Sequence, residues 1–272
     1  MSKFWKILFA SIISILILLF CVFRNHIRLY WCQDYSIGES TIKMEEQVDE
    51  DNFKVEIYNI DRTFKNSWVH RYNCFFDDEL LVIYLPLTKY SFRNLVLDPM
   101  GKDEFNKKAT LLFNTLFFDP EFTCTTGLID DEDVIGLKVP IGNRLAIDSM
   151  GNLAYSANLR NSEYKDVLQI NDTFSIESTG ERFSRLQYRQ FLAFKDGQLI
   201  YISGNGNSLI CWRDVQEFMK QRDIENILAL DGGTSLDYKF EGAERSYSFS
   251  SIPFRRLWFN LNSPYYIEAA LK

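Results

Sequence analysis

The residues best suited to chemistry lie between Ile224 and Tyr238, which read I-E-N-I-L-A-L-D-G-G-T-S-L-D-Y. Ile227, Leu228, Ala229 and Leu230 form a short apolar run of the kind a fully buried strand presents, and Asp231 follows at once, so a carboxylate is delivered to the end of a buried element. Gly232 and Gly233 allow positive φ and close approach of a ligand to bare backbone, while Thr234 and Ser235 add two hydroxyls beyond the turn. Successive N–H groups and hydroxyls would then converge beside one acid, as in an oxyanion or phosphate cradle. The same residues also fit a plain strand-to-turn Asp-Gly with an Asx-type hydrogen bond.

Two further stretches could supply partners. In Asn114 to Leu128 (N-T-L-F-F-D-P-E-F-T-C-T-T-G-L), Asn114 ends an apolar run and offers both donor and acceptor to a sugar hydroxyl or a phosphate oxygen; its plainer role is to cap a turn. Arg189 opens R-Q-F-L-A-F-K-D-G-Q-L-I-Y-I, and a guanidinium can grip a phosphodiester with a bidentate fork. Arg185 competes for that role, and an ordinary strand arginine is the alternative for both. His26 and His70 are the only histidines, which argues against a Ser-His-Asp triad or a His-rich zinc site and leaves acid–base work to carboxylates. Asp130 to Asp133 (D-D-E-D) lacks the alternation and the glycine of a calcium loop and reads as a solvated hairpin tip, so no metal site and no cofactor are expected.

The apolar run ending in L-D-G-G-T-S resembles the signature near the end of the phosphodiester glycosidase domain family. In the bacterial branch a buried strand runs into Asn-Gly-Gly-x-Phe, then an Asp, then Gly-Leu; Asn114, Phe117 or Phe118, Asp119, Gly127 and Leu128 are similar in order. Thr115 and Leu116 stand where that branch has glycines. The family also has an arginine opening a hairpin with a D-G turn, which Arg189 and Lys195-Asp196-Gly197 resemble, although Gln190 and Phe191 replace the usual small residues. The resemblance spans about residues 54 to 262 and implies cleavage of a sugar 1-phosphodiester. It implies Asp231 as the central carboxylate and Asp119 as the second. Asn114, Gly127, Arg189, Gly232, Gly233, Thr234 and Ser235 would hold the sugar and the phosphodiester. Two other functions remain open on the same residues: a module that binds glycan or protein without turnover, and a metal-assisted phosphodiesterase that cleaves at phosphorus.

These residues need strands and a helix to carry them. Lys54 to Ile60 alternates apolar and polar residues; Leu80 to Leu87 and Ala109 to Phe113 are buried-strand runs; Phe191 to Phe194 and Leu199 to Ile202 flank a D-G turn. Trp212, Val215, Phe218 and Met219 predict a core-facing helix within Leu209 to Arg222, with Ser208 as N-cap after a Gly204 to Ser208 turn. Ser251 to Asn262 reads as a closing strand. The fold class expected is therefore α+β: a single β-rich domain over 54–272 with a mixed sheet and a few packed helices.

Ahead of it, Phe4 to Phe23 carries one charge, Lys6, near its start and, at ~1.5 Å per residue, is about long enough to cross a bilayer. It reads as an uncleaved transmembrane signal anchor after a three-residue cytoplasmic tail, followed by a stalk over 24–53 whose Glu39 to Asn52 segment holds six acids. This implies a single-pass membrane protein with its C-terminal domain exported. Cys32, Cys74, Cys124 and Cys211 fit either two disulfides or four separate buried thiols. The net charge is −7, and residues 1–28 contain Lys3, Lys6, Arg24 and Arg28 but no acid, so the rest is more acidic still. That argues against nucleic acid as a partner; the partners expected are a carbohydrate phosphodiester and the bilayer.

Overall fold

The computed structural model describes residues 5, 8–16, 37–64, 77–96, 109–115, 128–130, 133–135, 143–156, 164–170, 173–177, 185–230, 232, 236–243, 245–250 and 265–272. In chain order the strands are β1 (Ile37–Asp49), β2 (Lys54–Phe64), β3 (Asp78–Pro86), β4 (Tyr90–Val96), β5 (Ala109–Asn114), β6 (Leu128–Asp130), β7 (Asp133–Ile135), β8 (Asn143–Ile147) and β9 (Leu153–Ser156). After these come β10 (Asp166–Ile170), β11 (Thr173–Ser175), β12 (Gln190–Lys195), β13 (Gln198–Gly204), β14 (Asn226–Ala229), β15 (Asp237–Glu241), β16 (Ser246–Ser250) and β17 (Tyr265–Leu271). They form a seven-stranded sheet in the order β1-β2-β3-β13-β12-β14-β11, and two five-stranded sheets, β7-β6-β10-β8-β9 and β16-β15-β5-β17-β4.

The seven-stranded sheet is apolar on both faces, which is why β3 is buried along nearly its whole length. One face, with Val55, Leu81, Ile83, Leu192 and Tyr201, packs against Phe92, Leu111, Phe113, Phe240 and Ile267 of the sheet holding β5 and against Leu145 and Leu168. The other face, with Tyr58, Val82, Phe191 and Ile202, is covered by Trp212, Val215, Phe218 and Met219 of the helix Trp212–Arg222. Each of these large side chains contributes about 1.5–3 kcal/mol when fully buried.

The α+β expectation with a mixed sheet is overturned: the structure is mostly β, and every strand pairing among the described residues is antiparallel. The helix Trp212–Arg222 does carry the chain from β13 to β14, the kind of crossover that joins parallel strands. Here β12 lies between those two and pairs with both in antiparallel sense, so the crossover makes no parallel ladder.

The transmembrane helix expected ahead of the domain is not found: no helix among the described residues is long and apolar enough to cross a membrane. Of Phe4 to Phe23, residues 5 and 8–16 are described, and they are helical.

The acidic segment expected as a stalk folds into β1, the edge strand of the large sheet, paired with β2 from Ile37↔Phe64 to Asp49↔Lys54. Its inward positions are few, Ile37 and Ile42 above all, and acids on an edge strand oppose pairing with another chain. The helix begins at Trp212 rather than near Leu209: Cys211 is its N-cap, and its N–H donates to the Asp214 carboxylate at 2.7 Å. The Ser208 hydroxyl instead accepts the Glu79 N–H at 3.0 Å. Cys211 is a buried free thiol, so a pair of disulfides that uses all four cysteines does not form. The D-D-E-D stretch is a hairpin, with Asp130 paired to Asp133. The Ser251–Asn262 closing strand lies outside the described residues; the last strand described is β17, between β5 and β4.

Candidate active site

Four chain segments meet at one end of the large sheet. Arg189 precedes β12, Asn114 ends β5, Leu230 and Gly232 follow β14, and Asp237 opens β15. The apolar runs of β12 and β14 bring the first and third of these together, because Phe191 pairs with Ala229 and Leu192 with Leu228. β15 pairs with β5, Tyr238 against Phe113, which adds the other two. The hairpin β12–β13 is closed by Asp196 (φ 51°) and Gly197 (φ 73°), both positive as a two-residue primed turn requires.

Contacts within this meeting point are close. The Leu230 N–H donates to the Gln190 carbonyl at 3.1 Å. A Cβ added at Gly232 would lie 2.8 Å from the Tyr188 carbonyl oxygen and 3.4 Å from Cα of Arg189. Close approach to this neighbouring backbone demands glycine here. Both chain neighbours of Asp231 are thereby anchored against Tyr188–Gln190.

Arg189 is buried, its Nη2 donating to the Arg185 carbonyl at 3.3 Å and its own carbonyl accepting from the Ser203 hydroxyl at 3.1 Å. Arg185 is exposed, and it is the Arg189 backbone that lies against Gly232. Asn114 is fully buried. Its Oδ1 accepts from Gln190 Nε2 at 2.7 Å and from the Asp237 N–H at 2.9 Å, and its backbone carbonyl accepts a second contact from Gln190 Nε2 at 2.7 Å. Gln190 Oε1 in turn accepts the Tyr201 hydroxyl at 3.0 Å. Burial, with Tyr238 nearby, holds the Tyr201 hydroxyl far above the usual phenol range, so it stays a donor. Tyr266 donates to Asp237 Oδ2 at 2.8 Å, and the Asp237 side chain is half-buried.

The Gly204–Ser208 turn is tied to the same place. Tyr238 donates to the Gly204 carbonyl at 3.1 Å and accepts the Gly206 N–H at 3.3 Å, and burial pushes its hydroxyl above the usual range.

Of the site residues expected from the sequence, Asn114, Arg189 and Gly232 are brought together. Asp231, Asp119, Gly127, Gly233, Thr234 and Ser235 lie outside the described residues. Gln190, Tyr201, Asp237 and Tyr266 were not foreseen. Gln190 carried a readable signal, an amide inside an otherwise apolar buried strand, which has to be hydrogen-bonded. Among the described residues no three His, Cys, Asp or Glu side chains gather as a metal site. The arrangement brings the backbone of Tyr188 and Arg189 against Gly232, with the half-buried Asp237 carboxylate on a neighbouring strand.

No protein family matches the sequence, and no curated protein does. Solved structures match by fold. The zebrafish N-acetylglucosamine-1-phosphodiester α-N-acetylglucosaminidase catalytic domain, auto-inhibited by its pro-peptide, superposes with a TM-score of 0.51 at 14% identity, over 86% of this chain and 89% of that one. A hypothetical protein from Synechocystis superposes with a TM-score of 0.53 at 7% identity, over 88% of this chain and 68% of that one. At these identities the likeness is one of fold.

Proposed function

We propose that the chain is a hydrolase of phosphodiester glycosidase type, which cleaves the bond between the anomeric carbon of a sugar and a phosphodiester oxygen. In the reaction, water adds to the anomeric carbon as its bond to the phosphate oxygen breaks. The products are free sugar and an intact phosphomonoester. Asp231 is the central carboxylate that activates the attack, Arg189 grips the phosphodiester, and the turn from Gly232 to Ser235 cradles its oxygens. Asp119 is the second carboxylate. A phosphate leaves readily, so protonation of the departing oxygen matters less than in an ordinary glycoside.

The observation that carries this reading is the seating of Gly232 on the backbone of Tyr188 and Arg189, which brings one residue of the D-G-G motif beside a chain position some forty residues away. The shared fold with a domain whose name describes that reaction supports it.

The test is incubation of the full-length chain with a panel of sugar 1-phosphodiesters, with and without chelator, beside Asp231→Asn. Free sugar and a phosphomonoester are expected from at least one member, indifferent to chelator and abolished in the variant. Full activity in Asp231→Asn, or no turnover of any member by the parent chain, overturns the assignment.

A further inference from the structure

We infer that Gln190 and Asn114 are positioning residues that hold Leu230 and Asp237, the described residues that flank Asp231 in the chain. The Gln190 carbonyl accepts the Leu230 N–H, one residue before Asp231. The Gln190 side chain grips Asn114 through two contacts of 2.7 Å, and Asn114 Oδ1 accepts the Asp237 N–H, just beyond Leu236. A single residue on β12 thus holds Leu230 to the large sheet and, through Asn114 on β5, Asp237 to the β5-containing sheet. Arg189 is the chain neighbour of that residue.

The clamp is held from behind and closed in front. Tyr201 on β13 donates to Gln190 Oε1, which fixes the amide with its nitrogen toward Asn114. Tyr266 on β17 holds the Asp237 carboxylate at 2.8 Å, while β17 itself pairs with Asn114. Asn114, Gln190, Tyr201 and Tyr266 are all buried, so no water competes for these bonds and each is costly to leave unmade. Neutral amides and phenols are suited to such a clamp because they set distances without adding charge beside Arg189. Asn114 therefore acts on catalysis through Asp237, not by touching the sugar or the phosphate.

The catalytic consequence rests on the hydrolase reading above, whereas the clamp is a statement about backbone geometry, and the test separates the two. Hydrogen exchange is followed by mass spectrometry in peptides covering 230–238, with β13 peptides as internal reference, for the full chain and for Asn114→Ala, Gln190→Ala and Tyr201→Phe. The 230–238 peptides are expected to exchange about tenfold faster or more in the first two variants and less so in Tyr201→Phe, with β13 unchanged. With a turned-over phosphodiester, kcat should fall in the same order while KM holds. Unchanged protection in Gln190→Ala and Asn114→Ala overturns the clamp. So does a raised KM at constant kcat in Asn114→Ala, which would put Asn114 on the substrate. If Asn114→Ala does not fold, Tyr201→Phe decides, since it keeps the ring and removes one bond; no change there overturns the proposal. Absence of turnover in the parent chain removes the hydrolase reading and leaves exchange alone to decide the clamp.

Discussion

Two buried polar networks flank the large sheet, and they are built on opposite principles. On the helix-covered side, Arg62 donates Nε and Nη2 to Asp214 at 2.8 and 2.7 Å, Nη1 to Asp78, and Nη2 also to the Leu209 carbonyl at 2.8 Å. Ser40 and the Cys211 N–H add bonds to Asp214, and the Leu209 N–H reaches Asp78 at 3.0 Å. Burial pushes the Asp214 carboxyl up, but the Arg62 guanidinium outweighs it and holds the group below the ordinary carboxylate range. This network of full charges closes on itself and ties β1, β2, β3 and the helix start together. On the other side, the Tyr201–Gln190–Asn114 chain uses neutral groups and ends at the half-buried Asp237. The first network is a staple whose bonds all end inside the protein; the second leads outward, and that difference marks the candidate active site.

Breaking each network should have a different signature. The largest effect on stability is expected from Arg62→Met, which leaves two carboxylates buried without their cation and should cost about 3–5 kcal/mol. Denaturant unfolding reads this directly, and the folded fraction should keep its turnover per molecule. Gly232→Ala drives a Cβ to 2.8 Å from the Tyr188 carbonyl oxygen. It should cost about 1–3 kcal/mol by the usual scale of overpacking. Here the loss of turnover should exceed what unfolding explains, the reverse of Arg62→Met. If both variants lose activity only in proportion to folding, the contrast between the networks fails.

A third charged group sharpens the comparison by pH. Burial pushes the Glu56 carboxyl up, but hydrogen bonds from Tyr84 (2.6 Å), Tyr58 (2.7 Å) and Lys54 bring it below its ordinary value, and Arg222 pairs with it at 2.7 Å. A carboxyl whose folded pKa is lowered stabilises above its unfolded value, about 4.3 for a glutamate. That contribution is lost as pH falls through the folded value. Glu56→Gln should therefore flatten the acid limb of the stability curve below about pH 4.5, with little change in the pH dependence of turnover. The smallest effect belongs to Gly197→Ala: nothing lies within 4 Å of the added Cβ, so only the φ of +73° opposes it. About 1 kcal/mol of stability should be lost, with kcat and KM untouched.

Legibility in the sequence followed periodicity. β2, β3, β5 and the β12–β13 hairpin could be read because their apolar runs or alternation are long and their breakers, Pro86 and Asp196-Gly197, are local. β1 was obscured by its acids: an edge strand needs only a few inward residues, and Ile37 and Ile42 do not make a pattern beside Glu45, Glu46 and Asp49. β17 reads Y-Y-I-E-A-A-L, in which buried Glu268 and two alanines hide a central strand. At the site, Asn114, Arg189 and Gly232 could be named from local motifs and do converge. Their partners could not, because Asn114 to Gln190 and Asn114 to Asp237 are contacts between chain positions with no shared local pattern. Whether a buried asparagine faces a ligand or another amide depends on that long-range pairing.

The measurement that bears most directly on the central claim is the fate of solvent oxygen when the full-length chain acts on a sugar 1-phosphodiester in heavy-oxygen water. Cleavage at the anomeric carbon leaves every phosphorus–oxygen bond whole and releases a phosphomonoester, so it puts the label in the hydroxyl of the released sugar and none in the phosphomonoester. Label in the phosphate, or no product from any substrate offered, would contradict the account.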